Sequence, residues 1–170
     1  MNMINSQIVD NKFIQKTIKS PMSFNGVGIH SGKAVKMILY PANEDFGIVF
    51  KRTDLHVNNS VKVTPQNIYF SKFCSKLKNM HGVCIHTVEH LLATLHAFNI
   101  SNVLIEINSP ELPAMDGSSY EFTKKLMEVG VHIQKKSIKV LKILRKVNVK
   151  DGLRSIKILP STNLSFSIKI

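Results

Sequence analysis

The sequence predicts an α+β domain: a two-layer sandwich with two helices on one face of a mainly antiparallel sheet, followed by an incomplete second domain. Three observations carry that expectation. Short strand-like runs come first, then helix, strand and helix, and then strands again. Neighbouring strand-like runs are joined by brief turns, so crossovers are few. Residues 87–98 carry one apolar stripe, with Val88, Leu91, Leu92 and Leu95 recurring at i, i+3, i+4 and i+7 as an amphipathic helix requires.

The elements follow in order. Residues 1–11 are polar and read as loose. From Lys12 to Phe24 the pattern is strand-like, interrupted by Pro21. Residues 26–32, GVGIHSG, are a glycine-punctuated turn. Ala34 to Pro41 is a strand that its proline ends. Gly47 to Arg52 is another, and residues 53–65 are rich in turn formers. Ile68 to Leu77 reads as strand and Lys78 to Gly82 as loop. After the helix at 87–98, Asn99 suits a helix C-terminus. Asn102 to Ile107 is a strand, and SPELPAMDGSS is a loop stiffened by Pro110 and Pro113. Ser118 and Glu121 have capping-box spacing and open a helix that Gly130 stops. Residues 131–137 read as a linker, and 138–170 as further strands. The expected organisation is therefore a loose segment over 1–15, a first α+β domain over 16–133, and the start of a truncated second domain over 134–170.

Composition excludes several classes. A hydrophobic share of 44% with 20% charged residues supports a core and argues against wholesale disorder. No apolar run approaches the roughly 20 residues of a membrane helix, so stable membrane insertion is not expected. The first residues lack the apolar segment of a signal peptide. Two cysteines, Cys74 and Cys84, make no disulfide framework, and a cytoplasmic protein with free thiols is expected.

The net charge is +12, from 23 Lys and Arg against 11 Asp and Glu, and it favours anionic partners. Nine basic residues and one acid, Asp151, lie between Lys135 and Lys157. They alternate with Ile, Leu and Val, as in IKVLKILRKV, which reads as strand with a solvated face. No nucleic-acid module signature accompanies them, so no nucleic-acid partner is expected. A non-enzymatic binder of an anionic ligand through this stretch stays open as an alternative.

The densest cluster of metal-competent groups is His86-Thr87-Val88-Glu89-His90. On a continuous helix, His86 and His90 share a face at i, i+4, with Glu89 beside it. An imidazole can hold zinc, the metal acidifies a bound water to a pKa of about 7, and a nearby carboxylate can take the water's proton. From spacing alone, a plain first-turn glutamate that complements the helix dipole is the favoured explanation of Glu89. Read literally, H-x-x-E-H is also the inverzincin peptidase pattern.

Four stretches taken together resemble one family: GVGIHSG (26–32), PANEDFGIVFKRTDL (41–55), TVEHLLATLHAFNISNVLIEIN (87–108) and PELPAMDGSSYEF (110–122). In order, gaps and text they are similar to the zinc-dependent UDP-3-O-acyl-N-acetylglucosamine deacetylases of lipid A synthesis, known as LpxC. The resemblance implies two similar α+β domains with zinc between them and a hydrophobic passage for the acyl chain. It implies a cytoplasmic zinc hydrolase that removes the 2-N-acetyl group of a UDP-linked acylated amino sugar. On this resemblance Glu89 matches the general base, His90 a zinc ligand and His30 a histidine at the site rim. Ile29 and Cys74 fall near positions that shape the substrate pocket, and Asp116 takes a supporting place behind the ligands, although Asp116-Gly117 also reads as a plain turn. His86 has no counterpart role. The family's other two ligands lie in the second domain, and no H-x-x-x-D pairing follows residue 133 here. One imidazole falls short of the three protein ligands a catalytic zinc needs. The chain alone is thus expected to be inactive, as a fragment, a degraded gene or a split enzyme completed by a separate chain.

Overall fold

The computed structural model describes residues 13–169. The loose segment expected over residues 1–11 lies outside the described residues. The chain divides into two compact units between Ile138 and Lys139.

In the first unit the main layer is a five-stranded sheet. Its strands, in chain order, are β2 (Met22–Val27), β3 (Ala34–Pro41), β4 (Ile48–Arg52), β5 (Ser60–Lys62) and β9 (Val103–Ile107), arranged β2-β3-β9-β4-β5. All neighbours are antiparallel except β4 and β9, which run parallel. The register explains the core. Met22, Leu39, Ile105, Phe50 and Val61 stand opposite one another across the five strands, and Phe24, Met37 and Ile107 form the next row. Directly opposed residues share a face, so alternation along each strand sends both rows inward. All eight are buried. The other face is wetter and carries the cross-strand ion pair Lys51 Nζ–Glu106 Oε1 at 2.9 Å.

Helices α1 (Glu89–Ala97) and α2 (Tyr120–Val129) cover the apolar face. Leu91 and Leu95 of α1, with Phe122 and Leu126 of α2, join the sheet residues in a single core. The rings of Phe122 and Phe24 meet edge-to-face at 5.0 Å, an arrangement aromatic quadrupoles favour. Asn99 ends α1 in the left-handed region at φ 56°, and the Ile100 amide donates to the Leu95 carbonyl, closing the C-terminus. Gly130 ends α2 at φ 81°. The expected capping box does not form. The Ser118 hydroxyl accepts from the Tyr120 amide at 3.0 Å, one position ahead of the box, and α2 starts at Tyr120.

Two smaller sheets complete this unit. β1 (Ile14–Ile18) pairs antiparallel with β10 (Val131–Ser137), so residues 131–137 are strand and not linker. The reason is long-range. The buried Gln15 side chain donates to Asp45 Oδ1 and to the Ser137 carbonyl, and Asn102 Nδ2 donates to Gln134 Oε1 at 2.7 Å. The second small sheet is β6 (Ile68–Tyr69), β7 (Lys76–Lys78) and β8 (Cys84–His86). The strand expected over 68–77 is thereby broken: residues 70–75 form a loop that exposes Phe70 and Phe73.

The second unit contains one hairpin, β11 (Val147–Asp151) and β12 (Arg154–Ile158), turning through Gly152 and Leu153. None of its described residues is buried. The strand expected across IKVLKILRKV begins only at its last residue, Val147.

Candidate active site

The site is assembled where the GVGIHSG loop, the 71–75 loop and the start of α1 meet. His86 ends strand β8, and helix α1 begins at Glu89. Between them Thr87 sits at φ 59°, a conformation that costs a β-branched residue about 1–2 kcal/mol. The kink has a direct consequence for the H-x-x-E-H reading. His86 and His90 do not share a helix face, because only His90 is on the helix. The geometry that a peptidase pattern of this kind needs is absent, since spacing alone cannot reveal a left-handed residue inside the motif.

Glu89 and His90 are adjacent, both half-buried, on the first turn of α1. The Ser75 amide donates to Glu89 Oε2 at 3.0 Å. The Val88 amide in turn donates to the Ser75 carbonyl at 3.4 Å, so the loop carrying Cys74 is laced to the helix start. Cys74 is half-buried, with its sulfur 3.4 Å from the Ser71 hydroxyl. The His90 carbonyl accepts from the hydroxyls of Thr94 and Ser119, which ties this turn to the start of α2.

His30 and Ile29 lie on the loop after β2, closed by Gly32 N donating to the Gly28 carbonyl at 2.9 Å. Ile29 is 65% exposed and lines an open groove of about 740 Å3 with Gly26, Val27, Met115, Asp116 and Glu121. Asp116 is exposed. Its carboxylate accepts from the Ser118 amide and hydroxyl, which with the nearby His90 hold its pKa below the usual value. It is thus a turn residue whose charge reaches His90, and no hydrogen bond joins the two among the described residues.

Sequence reasoning missed the residue at the centre of this arrangement, Glu111. It is 1% exposed. Its Oε1 accepts from the His30 amide at 3.0 Å, from His30 Nδ1 at 2.7 Å and from the Thr87 hydroxyl at 3.2 Å. Its Oε2 accepts from the Ser31 amide at 2.8 Å. Burial works against its charge, but the donors from Ser31 and His30 outweigh burial and bring the pKa down to about 2. Gly28 makes room for it, since a Cβ there would collide with Oε2. The available signal was a carboxylate set between two prolines in PELPAMDGS, in a loop otherwise apolar on that side. Half-buried His86 lies beside Glu111 in a β-bridge, and burial lowers its pKa, followed by the charge of Lys76.

Among the described residues no three His, Cys, Asp or Glu side chains converge as a metal site. The donor set here, one imidazole beside one carboxylate, does not by itself fit a catalytic zinc, which needs three protein ligands. What the arrangement does offer is a carboxylate anchored beside an imidazole at a helix start, and a second imidazole held by a buried carboxylate, side chains of the kind that can carry acid–base chemistry.

The comparisons make the class specific. The chain belongs to the LpxC family, UDP-3-O-acyl N-acetylglycosamine deacetylase, whose profile matches residues 15–170. It is 44% identical over 158 residues to the UDP-3-O-acyl-N-acetylglucosamine deacetylase of Francisella tularensis subsp. tularensis (strain WY96-3418), covering 92% of this chain and 55% of that protein. It is 42% identical to the Thermodesulfovibrio yellowstonii enzyme of the same name and 38% to that of Neisseria meningitidis serogroup C, covering 92% of this chain and 52% of each relative. The chain thus spans about half the length of the curated relatives it matches. No helix among the described residues is long and apolar enough to cross a membrane.

Proposed function

We propose that this chain supplies the first α+β domain, and the opening strands of a second, of a zinc-dependent deacetylase. Its substrate in this reading is a UDP-linked, 3-O-acylated N-acetylglucosamine in lipid A synthesis, handled in the cytoplasm. The observation that carries the proposal is the fixed position of Glu89 and His90 at the kinked start of α1, inside a chain that matches the family from residue 15 onward.

In this reading His90 is one zinc ligand and the others come from a second domain, either in continuation or on a separate chain. Bound zinc would lower the pKa of water to about 7. The work of the residues in hand is different. The Ser75 amide holds one oxygen of Glu89, so the other takes a proton from the attacking water. The water oxygen bonds to the acetyl carbonyl carbon, the C–N bond breaks, and acetate leaves while the amine nitrogen gains a proton. The groove beside Ile29 would receive part of the substrate, with the Asp116 carboxylate at its edge.

The test combines this chain with a second-domain polypeptide and measures acetate release with zinc present. Activity is expected above that of either part alone. Glu89→Ala is expected to lower turnover about 10²–10⁴-fold with zinc retained, the usual worth of a general base. Undiminished turnover in that variant would remove Glu89 from the chemistry.

A further inference from the structure

We propose that Glu111 is the positioning residue of this site: it holds the His30 ring as the Nδ1–H tautomer and clamps the Gly28–Ser31 loop against Thr87. The inference rests on the deacetylase reading only for its purpose, because the geometry stands without it. Four donors from two distant segments converge on one carboxylate: the His30 and Ser31 amides, the Thr87 hydroxyl and His30 Nδ1. A carboxylate this strongly hydrogen-bonded stays ionised at neutral pH and can only accept. The proton in the 2.7 Å contact therefore belongs to Nδ1. In the neutral ring Nε2 is then bare, at the edge remote from Glu111, on a side chain that is 45% exposed. His30 is thus preset as an acceptor, suited to a hydroxyl or N–H of a bound sugar.

The same carboxylate sets the helix start. Thr87 is held in its strained conformation by its hydroxyl on Glu111, and Glu89 and His90 follow two and three residues later. One buried charge therefore fixes both the rim imidazole and the turn that launches the base. Gly28 belongs to the same device, because a side chain there would occupy the space of the carboxylate.

The test uses the 15N-labelled chain without metal or substrate, at a pH where imidazoles are neutral. Long-range proton–nitrogen spectra of the unmodified chain are expected to show His30 protonated at Nδ1 and bare at Nε2. In Glu111→Gln the side-chain NH2 opposes one of the donors. The ring is expected to shift towards Nε2–H, and the His30 and Ser31 amides to exchange at least about tenfold faster. The Ile105 amide in the central sheet is the control for the fold and should not change. An Nε2–H ring in the unmodified chain overturns the proposal, as does an unchanged ring with protected amides in the variant. If the variant loses protection at Ile105 as well, the ring of the unmodified chain decides alone. None of these readouts involves turnover, so their failure leaves the deacetylase reading standing. Loss of that reading in the Glu89→Ala assay leaves the tautomer result standing in turn.

Discussion

At the scale of single residues the site is governed by one buried charge and one strained backbone. Glu111 has a folded-state pKa of about 2 against an ordinary 4.5. The sign follows from linkage: a depressed carboxylate contributes stability above its unfolded pKa, and that contribution fades as pH falls through the folded one. Protection of the His30 and Ser31 amides is therefore expected to be full at neutral pH and to decline between about pH 4.5 and 2. In Glu111→Gln that decline should be absent, which pH-dependent amide exchange can check. Thr87→Val keeps shape and branching, hence the same strain, but deletes the hydroxyl that donates to Glu111. A loss of about 1 kcal/mol is expected, read as a lower urea midpoint at constant slope. His30, Ile29 and the Glu89-His90 pair stand out as candidates in the sequence because they sit in compact motifs that resemble the family's. Glu111 does not, although it stands in a motif of its own. Its importance comes from donors 80 and 81 residues away, and no local pattern reports that a carboxylate is sealed from water.

At the scale of elements, the periodic segments were legible and the short ones were not. Helix α1 and strands β3 and β9 follow from apolar spacing, because each commits one face to the core. The residues of β10 read as a linker because VHIQKKS is largely polar without a sustained apolar period; most of them are exposed, and what makes the segment a strand is its pairing with β1. Strands of two or three residues, such as β6 and β8, fall below any periodic signal. The helix ends are a separate matter of backbone freedom. Gly130 sits at φ 81° with the nearest foreign atom, Lys19 Cδ, 3.8 Å from a built Cβ. Space is therefore available and only conformation objects. With ψ at 174° this is a region essentially confined to glycine, so Gly130→Ala is expected to cost about 1–3 kcal/mol, measured by denaturant unfolding.

At the scale of the whole molecule the two units differ in kind. Every buried apolar residue among those described lies in the first, between Ile18 and Leu126. The hairpin of the second unit exposes Val147, Val149, Ile156 and Ile158, and a two-stranded hairpin is marginal by itself in water. Backbone amides of β11 and β12 are expected to exchange at least about 100-fold faster than those of β9, as hydrogen exchange on the whole chain would show. Slow exchange in the hairpin would mean that it is covered in solution.

The sequence by itself determined the α+β class, the apolar stripe of helix α1, and the family, because these depend on residue type and spacing along the chain. Tertiary structure alone decided that His86 is set apart from His90, that residues 131–137 pair with the first strand, and that Glu111 organises the site. The reason is physical: a left-handed Thr87, a strand held by a distant partner and a carboxylate charged in a dry interior are each stabilised by groups remote in sequence. Their energies exist only once the chain has closed around them.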